Sequence, residues 1–378
     1  MTDERTARMC LAAVVEPGHR AVGEAVAEFG AEAVWAGLAA AGGSSPLERR
    51  AQTIVPEDLV AHTRVAGQRF VIPGDEEWPA GMSGLAECEP VQQLGGGPLG
   101  LWVSGAGRLG ELTAKAVAIV GSRASTAYGD RVAADFAAEL SEAGRTVVSG
   151  GAYGIDAAAH RGALAGRTPT VAVQAGGLDQ PYPSGHAKLF SRIAEAGVVV
   201  GELAPGEHPT RVRFLARNRL IAAMSEGTVM VEAAARSGAR NTVTWANALR
   251  RLVMAVPGPV TSANSVTPHR LIREAEATLV SSPAEVLELL SPLGGDFRQP
   301  RGEHRPTDDL AADELRLFEA IPARGALSAG ELALKAGLAM PTCLALLSRL
   351  AEQGFISQDA ESNWRLPARL RKDRRASE

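Results

Sequence analysis

The sequence predicts an α/β protein built on a Rossmann-like, doubly wound and mostly parallel sheet, with a small helical domain in front and a second small domain behind. Two observations carry this. From Val117 onward, short apolar runs rich in β-branched residues recur: VAIVG, TVVSG, PTVAVQ, GVVVGEL, TVMVEA, LVMAVPG and TLVSS. Their continuous apolar character is what a strand covered on both faces requires. The stretches between them keep helical spacing; in DRVAADFAAELSEAG, Val132, Phe136 and Leu140 recur at i, i+4 and i+8. A doubly wound sheet binds its ligands beyond the carboxyl ends of the strands, so the βα turns are where function is sought.

Before that core, residues 1–66 read as short helices, including VGEAVAEFGAEAVWAGLAA and PEDLVAHTRVAG, with a Gly-Ser-Pro break at Gly42–Pro46. The sheet domain is expected over 67–291. Its lead-in, 67–110, holds only brief extended pieces (RFVIP, LGLWVSG) among Gly and Pro, and periodicity assigns it to no element. Residues 292–308, rich in Pro, Gly and charge, read as a linker. Over 309–367, three short helical segments (ADELRLFEAIP, SAGELALKAG, PTCLALLSRLAEQG) precede the extended FISQDAESNWRL, a winged-helix outline. Residues 368–378 form a basic tail.

Bulk composition narrows the class. At 378 residues and 46% hydrophobic content the chain suits two or three globular domains with a sizeable core, although only 4% is aromatic. Cys10, Cys88 and Cys343 are odd in number and far apart, which argues against a disulfide framework and for a reducing compartment. Neither a signal peptide nor a run of roughly 20 apolar residues is present, so no membrane is expected and cytoplasm is the expected location. No metal-ligand set and no cofactor motif is found, so neither is expected. Net charge is −4, yet distribution matters more than the total. Of 39 basic residues only Lys115, Lys188, Lys335 and Lys372 are lysines, and arginines cluster at Arg211–Arg219 and in the tail.

Three segments carry candidate binding chemistry. In VAIVGSRASTAYGDR a strand ends at Gly121, and Ser122 and Arg123 precede a helix that Ser125 or Thr126 can cap. Backbone N–H groups at a glycine turn, with an arginine fork beside them, make an anion site. Only Gly121 of the dinucleotide-binding glycine pattern is present, and there is no Walker loop. In TVVSGGAYGIDAAAHRGAL, Ser149, Gly150, Gly151 and Gly154 are expected to bring backbone close to the same ligand. Asp156 and His160 lie four apart on one helix face. No nucleophile accompanies them, so Asp156 is expected to cap its helix and His160 to brace the loop, and no residue is expected to be catalytic. The third segment, TRVRFLARNRL, places Arg211, Arg213, Arg217 and Arg219 within nine residues around Phe214 and Asn218. On a helix starting near Phe214, Arg217 and Arg219 point in different directions, one to anchor the fold and the other to meet ligand. Arginine forks beside an aromatic ring suit single-stranded nucleic acid.

In this order GSR…YG, SGGAYGIDAAAH, GLDQPYPSGH, FLARNR, VMVEAAARSG and MAVPG span roughly residues 68–290, and the chain resembles the DNA-processing protein A (DprA/Smf) family. The outer segments resemble that family's sterile-alpha-motif-like and winged-helix domains. The resemblance implies a non-catalytic protein that binds single-stranded DNA, passes it to a RecA-type recombinase during DNA uptake and recombination, and self-associates as a homodimer. It implies Gly121, Ser122 and Arg123 as phosphate loop, Ser149 to Gly154 as second loop, and Phe214, Arg217, Asn218 and Arg219 as binding residues. Departures stand at Leu215, where a proline is usual, at Arg240 and Asn241 in a normally small apolar turn, and at Pro268 in place of glycine.

Two rival readings follow from the same residues. Phosphoribohydrolases of the lysine-decarboxylase-like type bind a nucleoside monophosphate with a Pro-Gly-Gly-x-Gly-Thr-x-x-Glu loop. Here MSEGTVMVEA keeps Gly227, Thr228 and Glu232 but has Ser225 and Glu226 at the paired glycines, which denies close backbone approach to phosphate. A duplex-DNA regulator would read through PTCLALLSRLAEQG, whose one cation is Arg349, poor equipment for a major groove.

Overall fold

The computed structural model describes residues 2–92, 94–291 and 306–367. Residues 2–291 belong to one compact unit and 306–367 to a second. Most of the expected linker and all of the basic tail lie outside the described residues.

Every apolar run from Val117 onward is a strand. After β1 (Gln68–Val71) and β2 (Leu101–Ser104) come β3 (Ala116–Val120), β4 (Thr146–Ser149), β5 (Val171–Val173) and β6 (Val198–Gly201). The series ends with β7 (Gly227–Met230), β8 (Leu252–Ala255) and β9 (Thr278–Leu279). The nine strands run in the order β1-β2-β6-β5-β4-β3-β7-β8-β9. Only the β1–β2 and β2–β6 pairings are antiparallel. The unassigned lead-in therefore supplies the edge strand β1 and its neighbour β2, too short and too interrupted by glycine to show a period. The chain winds outward from β3 through β6 and then returns to lay β7 on the other side of β3. That reversal between β3 and β7 is the switch point where a doubly wound sheet opens a crevice.

The first helix, Glu4–Val14, starts within the charged N-terminal stretch, with the Asp3 carboxylate accepting from the Thr6 N–H at 2.8 Å. Its inner face (Cys10, Leu11, Val14) is fully buried. The long apolar segment that follows is two helices, Arg20–Phe29 and Ala31–Ala40, parted at Gly30 (φ 84°). These helices share one hydrophobic cluster with Phe70, Trp102, Phe190 and Ile193 of the sheet layers. Trp102 on β2 has no exposure; its indole N–H donates to Thr63 Oγ1 at 3.2 Å, and its ring lies 4.6 Å from that of Phe70. So the N-terminal helices cover one end of the sheet and belong to the same compact unit.

The second unit holds helices Ala312–Ala320, Ala329–Ala336 and Met340–Glu352, and the antiparallel pair β10 (Ser357–Gln358) and β11 (Trp364–Arg365). Leu317, Leu332, Leu347, Leu350 and Leu366 form its own core. Arg349, the one cation of its third helix, lies 3.0 Å from Glu314.

Because Trp102 joins helices and sheet, Trp102→Ala is expected to cost about 3–5 kcal/mol. It should loosen the residues 4–65 and the sheet edge together, read as a lowered denaturation midpoint and as faster amide exchange in both regions. Unchanged exchange in the N-terminal helices would show that they fold independently.

Candidate nucleic-acid interface

The carboxyl ends of β3 to β7 open into one groove of about 1060 Å³. Its floor begins at the first βα turn, where Gly121, Ser122 and Arg123 follow β3. Thr126 caps the next helix, its Oγ1 accepting from the Gly129 N–H at 3.2 Å. Glu232, just beyond β7, fastens this turn: its backbone O accepts from the Ser122 N–H at 2.6 Å. Its carboxylate accepts from the Thr126 N–H at 2.9 Å and the Thr126 hydroxyl at 2.6 Å.

The helix Arg211–Ala223 forms one side. It starts three residues earlier than the sequence predicts, because Thr210 caps it by accepting from the Arg213 N–H at 3.3 Å. Its arginines divide by partner. Arg219 is fully buried and makes a two-pronged pair with Glu202, at 2.7 and 2.6 Å. Arg213 pairs with Glu16 at 2.9 and 2.8 Å and with Glu207 at 2.6 Å, and its pKa is raised by the bond to Glu16 against the cost of burial. Neither faces the groove, which corrects their expected role in binding: carboxylates from the N-terminal region and the β6 end claim them. Arg217 is buried too, but its Nη1 donates to backbone, to Gly150 O at 2.7 Å and to Val173 O, and it lines the groove. Burial draws its pKa down to about 10, against the attraction of Asp156; the guanidinium is charged at neutral pH. Of the expected pair, then, Arg219 anchors and Arg217 meets the groove.

Phe214 stands between these groups. The Arg123 guanidinium carbon lies 4.6 Å above its ring, and the Tyr182 ring is 5.5 Å away. Asn218 donates to Asn241 Oδ1 at 3.2 Å, and Asn241 donates in turn to Gln92 at 3.3 Å. The polar replacement at Asn241 is thus satisfied inside an amide chain, while Arg240 lines the groove.

The second loop lies behind the groove. Among its residues only Ala152 lines it; Ser149 is buried, donating to Ile119 O at 2.6 Å, and Gly150 backs onto Arg217, where a Cβ would overlap the guanidinium. Gly154 adopts φ 75° as helix N-cap with no side-chain bond. Asp156 therefore does not cap its helix, contrary to expectation. Its carboxylate accepts from the Gly150 and Ala152 N–H groups at 3.2 and 3.4 Å, tying the loop down from inside. Burial raises its pKa, opposed by Arg217. His160 Nδ1 lies 2.9 Å from the Thr170 hydroxyl, which donates to Val147 O at 2.6 Å. That bond assigns the ring proton to Nδ1. Burial, then the nearby Arg217 charge, pushes the imidazole down to about 3.

Among the lining residues of the groove that sequence reasoning did not choose, three bring a ring or a charge. Tyr182 follows β5 and Arg236 follows β7, both at carboxyl ends where the fold class directs attention; Arg211 stood in the noticed cluster but was not chosen. Among the described residues, five arginines (123, 211, 217, 236 and 240) line the groove against one acid, Asp156.

A family model described as DNA recombination-mediator protein A matches residues 69–291. The chain belongs to that family. A DprA-type chain from Mycobacterium tuberculosis is 46% identical over 308 residues, 79% of this chain and 77% of the relative. Protein Smf of Escherichia coli is 40% identical over 185 residues, 49% of each chain. The crystal structure of DprA from Streptococcus pneumoniae superposes with a TM-score of 0.64 at 29% identity, covering 76% of this chain and 98% of that one. DNA processing protein A of Helicobacter pylori, at 24% identity and a TM-score of 0.51 over 60% of this chain and 97% of that one, shares the fold.

The hydrolase reading meets a contrary geometry. Its would-be phosphate loop is strand β7, Glu226 pairs with Arg145 at the strand's amino end, and Glu232 has both carboxylate oxygens engaged by Thr126. Among the described residues no group of three His, Cys, Asp or Glu is placed to hold a metal.

Two outcomes follow. Arg219→Ala leaves Glu202 buried and unpaired and should cost about 3–5 kcal/mol, read by denaturant melts. His160 protonates near 6.5 when unfolded and near 3 when folded, so protons favour the unfolded chain between those values. Stability should fall with pH below about 6.5, by up to about 1.4 kcal/mol per unit. His160→Asn should flatten that dependence of the melting temperature relative to the unaltered chain.

Proposed function

We propose that the groove binds single-stranded DNA without strong sequence preference. The observation that carries this is the unequal treatment of arginines: Arg213 and Arg219 are matched by carboxylates, whereas Arg123, Arg211, Arg217 and Arg236, all in the groove, have no ion pair among the described residues. Cations without acidic partners, beside the exposed Tyr182 ring and the half-buried Phe214 ring, suit a strand whose phosphates supply the counter-charge and whose unpaired bases stack. A duplex hides those base faces. The Helicobacter pylori relative binds single-stranded DNA, in agreement with this reading.

Membership of a recombination-mediator family supports the next step. The bound strand is handed to a RecA-type recombinase during uptake or recombination of DNA in the cytoplasm, by a homodimer that performs no chemistry on the strand. Asp156 and His160 fit that role, since one holds backbone and the other is neutral at physiological pH.

Fluorescence anisotropy with a poly-dT oligomer and its duplex, at two salt concentrations, tests the binding. Single strands should bind more tightly, with a log–log salt slope of about −0.7 per neutralised phosphate. Arg123→Ala should weaken binding at least tenfold without altering the melting temperature. Equal affinity for duplex, or binding indifferent to salt, would sink the proposal.

A further inference from the structure

The first turn of the arginine helix serves two neighbours. Arg211 and Phe214 line the groove, together with Pro209 and Thr210 of the preceding loop. Arg213, between them, is buried and is not among the lining residues. Its guanidinium donates to both carboxylate oxygens of Glu16, at 2.9 and 2.8 Å, in the turn between helices Glu4–Val14 and Arg20–Phe29. The remaining nitrogen donates to His208 O at 2.7 Å and lies 2.6 Å from Glu207. Glu207 is itself tied to the loop after β5, its backbone O accepting from the Gly177 N–H at 2.7 Å. Arg50, on the helix Pro46–Ala51, closes the set. It lies 3.5 Å from Glu207 and 3.7 Å from Glu16, and it donates to Ala13 O at 3.3 Å. One guanidinium thus joins the N-terminal helices to the rim of the groove, and none of these four charged residues lines the groove.

We infer that Glu16 is a positioning residue for the groove, holding the turn Arg211–Phe214 in place through Arg213. This rests on the single-strand reading above, but it concerns a residue that touches no ligand in that reading. The helix start already has its cap in Thr210, so Glu16 is not needed to begin the helix. A cap satisfies N–H groups without fixing where the turn stands against its surroundings, whereas a two-pronged bond fixes direction as well as distance. Glu16 is half-exposed, so its pair with Arg213 adds little to global stability. The bond to Arg213 holds the Glu16 carboxyl below its usual range, and the pair is charged at neutral pH. Placement and charge predict opposite signs. If charge alone mattered, removing an acid near bound phosphate would tighten binding. A freed Arg213 would also steepen the salt slope by about 0.7 on reaching one more phosphate. If Glu16 acts by placement, its removal weakens binding and adds no phosphate contact.

The full chain is titrated with oligo-dT across a salt series. Glu16→Gln should weaken binding roughly three- to tenfold without steepening the slope. Glu16→Lys moves two charge units in the phosphates' favour and should nevertheless weaken binding further. Arg213→Met should weaken it at least as much as Glu16→Gln, and in that background Glu16→Gln should add nothing, as expected of two residues acting through one contact. Amide exchange over Arg211–Phe214 should quicken in free Glu16→Gln, while its melting temperature falls less than that of Arg219→Ala. Unchanged or tighter binding by the Glu16 variants overturns the inference while single-strand binding stands, and so does an additive loss in the double variant. Should Arg213→Met not fold, unaltered exchange over Arg211–Phe214 in Glu16→Gln refutes it alone. Failure of the unaltered protein to bind oligo-dT overturns the reading beneath it.

Discussion

The buried pair between Arg219 and Glu202 fixes the element on which the groove depends. A guanidinium with no exposure is tolerable only if a carboxylate meets it in two-pronged geometry, and Glu202 does so from the residue directly after β6. Glu202 also accepts from the Gly18 N–H at 3.3 Å, which brings the N-terminal helices into the same junction. Arg213, six residues earlier, repeats the arrangement with Glu16 and Glu207. The arginine helix is thereby clamped at two points, to the sheet and to the N-terminal helices. Phe214 and Arg217, on its remaining face, reach the groove in a fixed register. The N-terminal helices thus act on the site at a distance, by holding the helix that lines it.

The other carboxylates around the crevice do similar work on backbone. Glu232 joins the turns after β3 and β7, the two strands between which the crevice opens, and Asp156 gathers two N–H groups of the loop after β4. Each satisfies donors that would otherwise be buried without partners, an arrangement that stiffens turns. A histidine protonating only near 3 is no acid at neutral pH. Stiff turns hold the arginine-rich groove in one shape.

Much of the sheet was legible because burial on both faces forces continuous β-branched runs, and seven of those became β3 to β9. The antiparallel edge was not, since four-residue strands beside glycine carry too little pattern. For the site, helical geometry alone indicated that Arg217 and Arg219 diverge, but not which one anchors. That depends on Glu202, 17 residues away, and for Arg213 on Glu16, 197 residues away. Partners at such separations leave no local trace. The Asp156 assignment failed for a related reason: a carboxylate at the start of a helix usually caps it, yet here the left-handed glycine at 154 closes the turn and the side chain folds back to the preceding loop. Tyr182 stood in the GLDQPYPSGH motif but was not chosen, because a tyrosine between two prolines reads as an ordinary turn.

The unpaired arginines do not reflect a shortage of acids, because the chain carries 43 Asp and Glu against 39 Lys and Arg. Within 13 residues one helix engages three carboxylates for Arg213 and Arg219, yet none for Arg211 and Arg217. Composition cannot produce that difference; position does. Cations gathered on one groove repel one another, at a cost in stability of the empty protein that a carboxylate from a neighbouring loop would relieve. The groove instead leaves Arg123, Arg211, Arg217 and Arg236 without an ion pair among the described residues. On the proposed single-strand reading, a phosphate chain entering the groove supplies the missing counter-charge, and the feature that costs the free protein stability favours the complex.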